Sequence, residues 1–104
     1  MPTPSETPLS LNAFARSVVE WRTRKGFSTS KENMLEKLCL VHSEISEAAE
    51  DVRSDHWVHF GEEIADAIIR LLDIAGTLEI DLEQLLRWKI SVNEGREYKH
   101  GKNA

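Results

Sequence analysis

Two pairs of carboxylates, each with a spacing of three residues, are the side chains of this sequence best placed to do chemistry. Glu44 and Glu47 form the first pair, and Glu63 and Asp66 form the second after fifteen intervening residues. Residues three apart lie on one face of an α-helix. Four clustered carboxylates repel one another unless a hard divalent cation lies among them, and Mg²⁺ takes oxygen ligands of this kind. The spacing therefore predicts a magnesium site, provided that two helices bring the pairs together.

The elements that must position these pairs are predicted to be helices. Strand-like alternation is missing, proline is absent beyond residue 8, and the 3, 4 spacing of apolar residues indicates amphipathic helices. The predicted helices cover about 10–24, 30–53, 58–76 and 82–96. We therefore expect an all-α fold, a four-helix bundle in one domain over 10–104, preceded by a loose tail over 1–9 and followed by a mobile basic tail from about 97.

Local signals mark the ends of these helices. Gly26 is expected to end the first helix, and the third helix is expected to end near Gly76. Thr29 with Glu32 resembles a capping box for the second helix. The fourth helix is expected to begin at Asp81, with Gln84 as the partner of its cap.

Apolar side chains cover most of the third helix, and its charged residues share one narrow stripe. At about 100° per residue, that stripe holds Glu63, Asp66, Arg70 and Asp73. A helix that is apolar nearly all round is normally buried, and so small a chain can hardly cover it alone. This pattern predicts a homo-oligomer. The expected inward stripe of the second helix consists of Met34, Leu38, Val41, Ile45, Ala48, Ala49 and Val52.

The fourth helix carries polar residues where its apolar stripe continues. Lys89, Asn93 and Arg96 follow Leu82, Leu85 and Leu86 at spacings of three and four. Buried charges are costly unless they are paired or ligated. These residues are expected either to form structural ion pairs with the carboxylates or to bind an anion such as a phosphate opposite a metal ion. The spacing favours neither alternative.

In this order the motifs resemble those of the MazG-type nucleotide pyrophosphohydrolases, of the all-α NTP pyrophosphatase superfamily. Glu44-x-x-Glu47 followed by Glu63-x-x-Asp66 is similar to that family's E-x-x-E…E-x-x-D signature. Lys89-x-x-x-Asn93-x-x-Arg96, followed by His100-Gly101-Lys102, is similar to its phosphate-binding pattern. The likeness covers about residues 10–102.

The resemblance implies Mg²⁺-dependent hydrolysis of a nucleoside triphosphate to a monophosphate and pyrophosphate, with Mn²⁺ as a possible substitute. It implies that the four carboxylates hold the metal, with Glu44 and Glu47 in the catalytic step and Glu47 as a candidate for orienting the attacking water. It assigns phosphate contacts to Lys89, Asn93, Arg96, Lys99 and Lys102. It also implies a MazG-like bundle completed across a homodimer or homotetramer.

Aromatic and histidine residues near these motifs leave several alternatives open. Trp21 and Phe27 are candidates for stacking on a nucleobase, with core packing as the alternative. His42 and His59 lie near the acidic pairs, but a di-iron bundle requires Glu-x-x-His pairs that are missing here. Arg70 is expected to form a salt bridge or to support the ligands from outside.

The bulk composition excludes several classes. A net charge of −5 without a long basic segment argues against nucleic-acid binding through phosphates. No apolar segment reaches the ~20 residues that span a bilayer. The N-terminal residues lack the apolar core of a signal peptide, so we expect a cytoplasmic protein. Two further functions stay open: a non-catalytic helical dimerisation module with structural ion pairs, and a pyrophosphohydrolase of phosphoribosyl nucleotides.

Overall fold

The computed structural model describes residues 10–96, and within this range the chain forms helices and turns but no strand. The predicted all-α class is thereby confirmed. The tail predicted over 1–9, the one predicted from about 97, and Lys99 and Lys102 lie outside the described residues. No helix between residues 10 and 96 has the length and apolar character needed to cross a membrane. The helices are α1 (Leu11–Arg24), a short 3-10 helix (Lys31–Asn33), α2 (Met34–Arg53), α3 (Trp57–Thr77) and α4 (Leu82–Glu94).

Two of the predicted helix ends are confirmed by local geometry. Gly26 follows α1 with a φ of +88°, a backbone conformation that glycine adopts without steric cost. At the start of α4, the side chain of Asp81 accepts a hydrogen bond from the backbone N–H of Gln84 at 3.2 Å. Asn12 Nδ2 donates to the same Asp81 oxygen at 2.7 Å, which ties the start of α4 to the start of α1.

The predicted cap of the second helix is wrong by one residue. The backbone N–H of Ser30 donates to Asn33 Oδ1 at 2.8 Å, so Ser30 and Asn33 form the capping interaction. The hydroxyl of Thr29 donates instead to the buried carboxylate of Asp73 on α3. A long-range polar contact has therefore taken the side chain that the local pattern assigned to the helix end.

The small apolar core lies where α1 crosses α3. Ala15, Val18 and Leu72 form its buried centre. The third helix ends at Thr77, close to the predicted end near Gly76. A Cβ built at Gly76 would lie 2.7 Å from the backbone oxygen of Ala15, so this glycine permits the close approach of α1 and α3. Phe14, Ile69 and Leu82 pack around the centre.

Part of the apolar surface of the α2–α3 hairpin is exposed, while several of its charged residues are buried. The inward stripe predicted for α2 is buried only in part in the single chain: Ala48 is buried, whereas Leu38, Ile45 and Val52 remain 40%, 50% and 46% exposed. The charged residue Asp51 is buried on this helix as well.

The third helix buries Leu72 and Ala75 but also leaves part of its apolar surface exposed. Its charged residues Glu63 and Asp73 are buried, whereas Ile68 and Leu71 are 49% and 46% exposed. At about 100° per residue, these apolar residues and those of α2 project to the same side of the antiparallel hairpin, opposite the charged residues. We call this surface the apolar ridge; it consists of Leu38, Ile45, Val52, Ile68 and Leu71.

Candidate metal centre

Three of the four predicted carboxylates converge between α2 and α3. Glu44, Glu63 and Asp66 each offer an oxygen atom, and these atoms lie within 4.8 Å of one another. The i, i+3 spacing on α3 places Glu63 and Asp66 on one face, and the antiparallel packing of the hairpin sets that face against Glu44 of α2. Asp66 is exposed and Glu63 is 5% exposed, so the cluster extends from the helix interface to solvent.

Glu63 is the most constrained member of the cluster. Its Oε2 is buried and has no hydrogen-bond partner among the residues that the structure describes. Its carboxylate neighbours are themselves acceptors, so a hydrogen bond forms only when a proton is shared. A hydrogen bond with Glu44, then one with Glu47, and burial together raise the pKa of Glu63 to about 7. The fourth predicted carboxylate, Glu47, therefore also lies beside this group.

A guanidinium group adjoins the cluster. Arg70 Nε donates to Glu44 Oε1 at 3.3 Å, and the arginine side chain is 39% exposed. The salt bridge expected for Arg70 is therefore present, with Glu44 as its partner. One positive charge beside four carboxylates leaves the cluster with an excess of negative charge.

A second group of potential ligands continues the polar face toward the turn between α2 and α3. Asp51, His59 and Glu63 offer atoms within 4.8 Å of one another. His59 Nδ1 lies 2.9 Å from both carboxylate oxygens of Asp51, and its Nε2 lies 3.4 Å from Glu63 Oε1. The hydrogen bond from His59 to Asp51 raises the pKa of the imidazole. Sequence reasoning missed this role for His59 because it searched for histidine three residues after a glutamate. His59 instead precedes Glu63 by four residues, a spacing that also places both on one helix face.

A cleft of about 570 Å³ opens beside the carboxylates. The metal-ligand candidates Glu44 and Asp66 lie in its wall, together with Arg70. The predicted base-stacking residues Trp21 and Phe27 line the same cleft. Its other lining residues are Val18, Arg22, Glu36, Lys37, Leu40, Ile69 and Asp73.

A buried ion pair fixes the aromatic end of this cleft. Arg22 Nε donates to Asp73 Oδ1 at 2.9 Å, with the two side chains 14% and 12% exposed. Arg22 Nη1 also donates to the backbone oxygen of Phe27 at 3.3 Å. Because Thr29 bonds to the other oxygen of Asp73, the loop that carries Phe27 is held at both sides. The charged end of α3 thus positions an aromatic ring at the cleft.

The cations predicted on the fourth helix are not brought to the carboxylates within the described chain. Lys89, Asn93 and Arg96 are exposed and do not line the cleft. Lys89 Nζ lies 5.6 Å from the ring centroid of Trp88 instead. Their assignment to phosphate stays a prediction.

No protein-family model, curated protein or solved structure matches this chain significantly. The likeness to MazG-type enzymes therefore rests on the motifs alone.

The donor set fits a divalent cation. Carboxylate oxygens are the ligands that Mg²⁺ and Mn²⁺ prefer, and an additional positive charge would balance the excess negative charge of the cluster. Glu63 Oε2 offers a buried lone pair with no competing donor in residues 10–96. A cation there would satisfy that oxygen and would replace the shared proton that hydrogen-bonds Glu63 to Glu44 and raises the pKa of Glu63.

Proposed function

We propose that this protein is a Mg²⁺-dependent nucleoside triphosphate pyrophosphohydrolase, which cleaves a (d)NTP to a (d)NMP and pyrophosphate. One observation carries the proposal. The predicted carboxylates gather around Glu63, whose buried Oε2 has no donor among residues 10–96, and two of them, Glu44 and Asp66, line a cleft that also holds Trp21 and Phe27. Acidic ligands at one end and aromatic rings at the other match the two ends of a nucleotide.

The carboxylates divide into metal-holding and water-orienting residues. Glu44, Glu63 and Asp66 have ligand atoms close enough to share one cation, and Glu47 completes the predicted set. Bound Mg²⁺ would supply charge stabilisation for a phosphoryl group and a lowered pKa for a coordinated water, and Mn²⁺ is an expected substitute. Glu47 is exposed beside Glu63 and is proposed to accept the proton of the attacking water.

The bond changes are those of hydrolysis at the α-phosphorus. A water oxygen forms a bond to that phosphorus, and the bond from phosphorus to the α,β-bridging oxygen breaks. The water proton passes to a carboxylate, and pyrophosphate leaves with the bridging oxygen. Only water is consumed, so the reaction balances without a further reactant.

Cationic side chains inside the cleft are suited to the phosphates. Arg70 and Lys37 line the cleft together with Glu44, and positive groups there would stabilise charge that develops on the leaving group. Lys89, Asn93, Arg96, Lys99 and Lys102 remain predicted phosphate contacts through the fourth helix and the residues after it.

The aromatic end is suited to a nucleobase. Trp21 is 36% exposed and Phe27 is 66% exposed, although large aromatic side chains are normally buried when they serve only the core. Exposure at a cleft therefore favours stacking on a ligand over core packing for both residues.

Assembly as a homodimer or homotetramer is part of the proposal. The apolar ridge lies on the side of the α2–α3 hairpin away from the charged cleft. Leu38, Ile45 and Val52 recur every seven residues, which is the period of a helix–helix contact. A second copy that covers the ridge would leave the cleft open to substrate. The proposed location is the cytoplasm, where nucleotides are the available substrates.

The non-catalytic alternative is favoured by one observation, namely that acids and bases do form ion pairs here. Arg70 pairs with Glu44 and His59 pairs with Asp51. Structural pairing does not explain Glu63, however, whose buried Oε2 has no partner among the described residues. The third reading, hydrolysis of a phosphoribosyl nucleotide, would use the same carboxylates and differs only in substrate.

The test is a screen of canonical and damaged (d)NTPs and of phosphoribosyl nucleotides with the full chain, with products resolved by chromatography. We expect pyrophosphate release with Mg²⁺ and its loss in EDTA. Glu44→Gln and Asp66→Asn should abolish turnover and leave the helical circular dichroism unchanged. Glu50→Gln, at an exposed position of α2, is the control and should keep wild-type activity. Absence of turnover with every nucleotide, together with unfolding of the two site variants, would favour the structural module.

A further inference from the structure

His59 lies at the junction of two groups of ligand atoms. Its imidazole fills the space between Asp51 on α2 and Glu63 on α3, and both carboxylate side chains are at least nine-tenths buried. The imidazole itself is 56% exposed. It therefore stands at the solvent edge of the carboxylate cluster, where an ion can enter.

The distances indicate which nitrogen of the His59 ring donates a hydrogen bond and which carries a lone pair. An ionised carboxylate only accepts hydrogen bonds, so the 2.9 Å contact between His59 Nδ1 and Asp51 requires the proton to be on Nδ1. In the neutral imidazole, Nε2 then carries a lone pair that faces the Glu63 carboxylate. A histidine whose Nδ1–H is held by a carboxylate and whose Nε2 is free is the usual arrangement of a metal-binding histidine.

The contact between His59 Nε2 and Glu63 Oε1 is long for a hydrogen bond but suitable for two ligands of one ion. It measures 3.4 Å, against the ~2.9 Å that is usual for an N–H···O bond. With metal–ligand bonds of ~2.1 Å, this separation corresponds to a ligand–metal–ligand angle of roughly 110°. Glu63 also supplies the buried Oε2 that has no donor in the described part of the chain.

We propose that His59 Nε2 and Glu63 bind a first-row transition metal ion of the Mn²⁺ class, that Asp51 orients the imidazole, and that Glu63 joins this ion to the Glu44–Asp66 carboxylates. The inference rests on the metal-binding part of the proposed function but not on nucleotide hydrolysis. Imidazole is a poor ligand for Mg²⁺ and a good one for transition metals. The site therefore prefers Mn²⁺ to Mg²⁺, which carboxylates alone would not achieve to the same degree.

The alternative is a purely structural pair in which His59 joins the first turn of α3 to the end of α2. Such a pair stabilises the hairpin but has no preference among metal ions. The two readings differ in what replacement of His59 does to the bound ion, and this difference can be measured without any nucleotide.

The experiment uses Mn²⁺ with the full-length chain in the absence of nucleotide. Electron spin-echo spectroscopy of bound Mn²⁺ detects a ¹⁴N nucleus that is directly coordinated. We expect this coupling in the wild type and its loss in both His59→Ala and His59→Gln, with Mn²⁺ still held by the carboxylates. His42→Ala, at an exposed position of α2, is the matched control and should keep the coupling. Titration calorimetry should show that replacement of His59 weakens Mn²⁺ binding about tenfold or more and changes Mg²⁺ binding little.

Asp51→Asn tests the orienting role. We expect it to keep the ¹⁴N coupling but to weaken Mn²⁺ binding by about tenfold, whereas a merely structural residue would lower the melting temperature and leave the Kd unchanged. Wild-type Mn²⁺ binding without ¹⁴N coupling, persistence of the coupling after His59 is replaced, or no Mn²⁺ binding would each overturn the inference. Coupling without hydrolysis of any nucleotide would support the metal site and reject the proposed activity. Mg²⁺-dependent hydrolysis without ¹⁴N coupling would support the proposed activity and reject the His59 metal site.

Discussion

Arg70 Nε donates a hydrogen bond to Glu44 Oε1 at 3.3 Å, so the guanidinium in the wall of the cleft is held by one of the proposed metal ligands. A cation bound by Glu44 would compete with that contact. The guanidinium, 39% exposed, would then be free to turn toward a phosphate in the cleft.

Replacement of Arg70 is therefore expected to affect turnover more than folding. We expect Arg70→Ala to lower kcat/KM about 100-fold, because a positive group aimed at developing charge contributes on that scale. Steady-state kinetics of pyrophosphate release would measure this change. Arg87→Ala, on the exposed surface of α4, should leave kcat/KM unchanged. Equal losses in both variants would place the effect outside the cleft.

The pKa of Glu63 predicts how the metal-free protein responds to pH. Shared hydrogen bonds with Glu44 and Glu47 raise this pKa from 4.5 to about 7, so the folded state binds the proton more tightly than the unfolded chain. The contribution of Glu63 to the free energy of unfolding is fully present below about pH 4.5 and is lost as the pH rises through about 7. We expect the melting temperature in EDTA to fall between pH 5 and pH 8.

Glu63→Gln isolates this contribution, because the amide cannot lose a proton. The variant should show a weaker fall in melting temperature between pH 5 and pH 8 than the wild type, and Glu50→Gln should retain the wild-type slope. Since metal and proton compete for the same carboxylate, Mg²⁺ affinity of the wild type should rise up to about pH 7 and then level off. A flat wild-type profile in EDTA would contradict the assigned pKa.

The Arg22–Asp73 pair is expected to matter for stability as well as for the cleft. Asp73→Ala would leave the Arg22 guanidinium and the Thr29 hydroxyl without their shared acceptor. Loss of one partner of a buried pair costs about 3 kcal/mol, which urea denaturation would measure. Glu50→Ala removes an exposed ion pair on α2, with side chains 69% and 71% exposed, and should cost less than about 1 kcal/mol. Similar costs for the two variants would show that the Asp73 network is not effectively buried.

The crossing of α1 and α3 depends on the missing side chain of Gly76. A Cβ there would lie 2.7 Å from both the Ala15 oxygen and Val19 Cγ2, so Gly76→Ala forces the two helices apart. We expect a loss of about 1–3 kcal/mol in the free energy of unfolding, the usual cost of overpacking. Gly61→Ala is the control because no atom lies within 4 Å of its built Cβ, and it should gain up to about 1 kcal/mol from helix propensity. A neutral Gly76→Ala would mean that the helices tolerate a wider separation.

Lysine substitutions on the apolar ridge test whether this surface forms the oligomer contact. Ile45 and Ile68 are 50% and 49% exposed, and a lysine at either position would place a charge inside the proposed contact. We expect Ile45→Lys and Ile68→Lys to give monomers by size-exclusion chromatography with light scattering. Ile90→Lys, on α4, should leave the oligomer intact. Dissociation by the Ile90 change alone would move the contact to the fourth helix.

Local signals predicted the helices well because they depend on neighbours along the chain. The turn at Gly26 and the Asp81 cap require only residues within one helical turn, and both are present as predicted. Thr29 was assigned wrongly because its partner, Asp73, lies on α3, forty-four residues away. Local spacing contains no information about such a contact.

The carboxylate cluster was predictable in part because i, i+3 spacing fixes a helix face. The inward face of α2 was predicted only in part, because apolar spacing along a helix does not determine burial: Ala48 is buried and Ile45 is 50% exposed. The predicted phosphate contact of Lys89 depends on where α4 packs, and the spacing of residues along the sequence does not determine that. Asn12 anchors the start of α4 nine residues from Trp21 in the cleft, a distance of about 14 Å along α1.

Asp73 and Asp66 lie on the same helix, and this arrangement limits the length of the molecules that fit the cleft. Asp73 fixes the loop that carries Phe27, and Asp66 belongs to the proposed ion-binding end; their seven-residue separation equals about 10 Å of helix rise. A rigid helix holds these two ends at a constant distance. Selection among candidate substrates would then depend first on molecular length, so a compound one phosphate too short would reach only one end of the cleft.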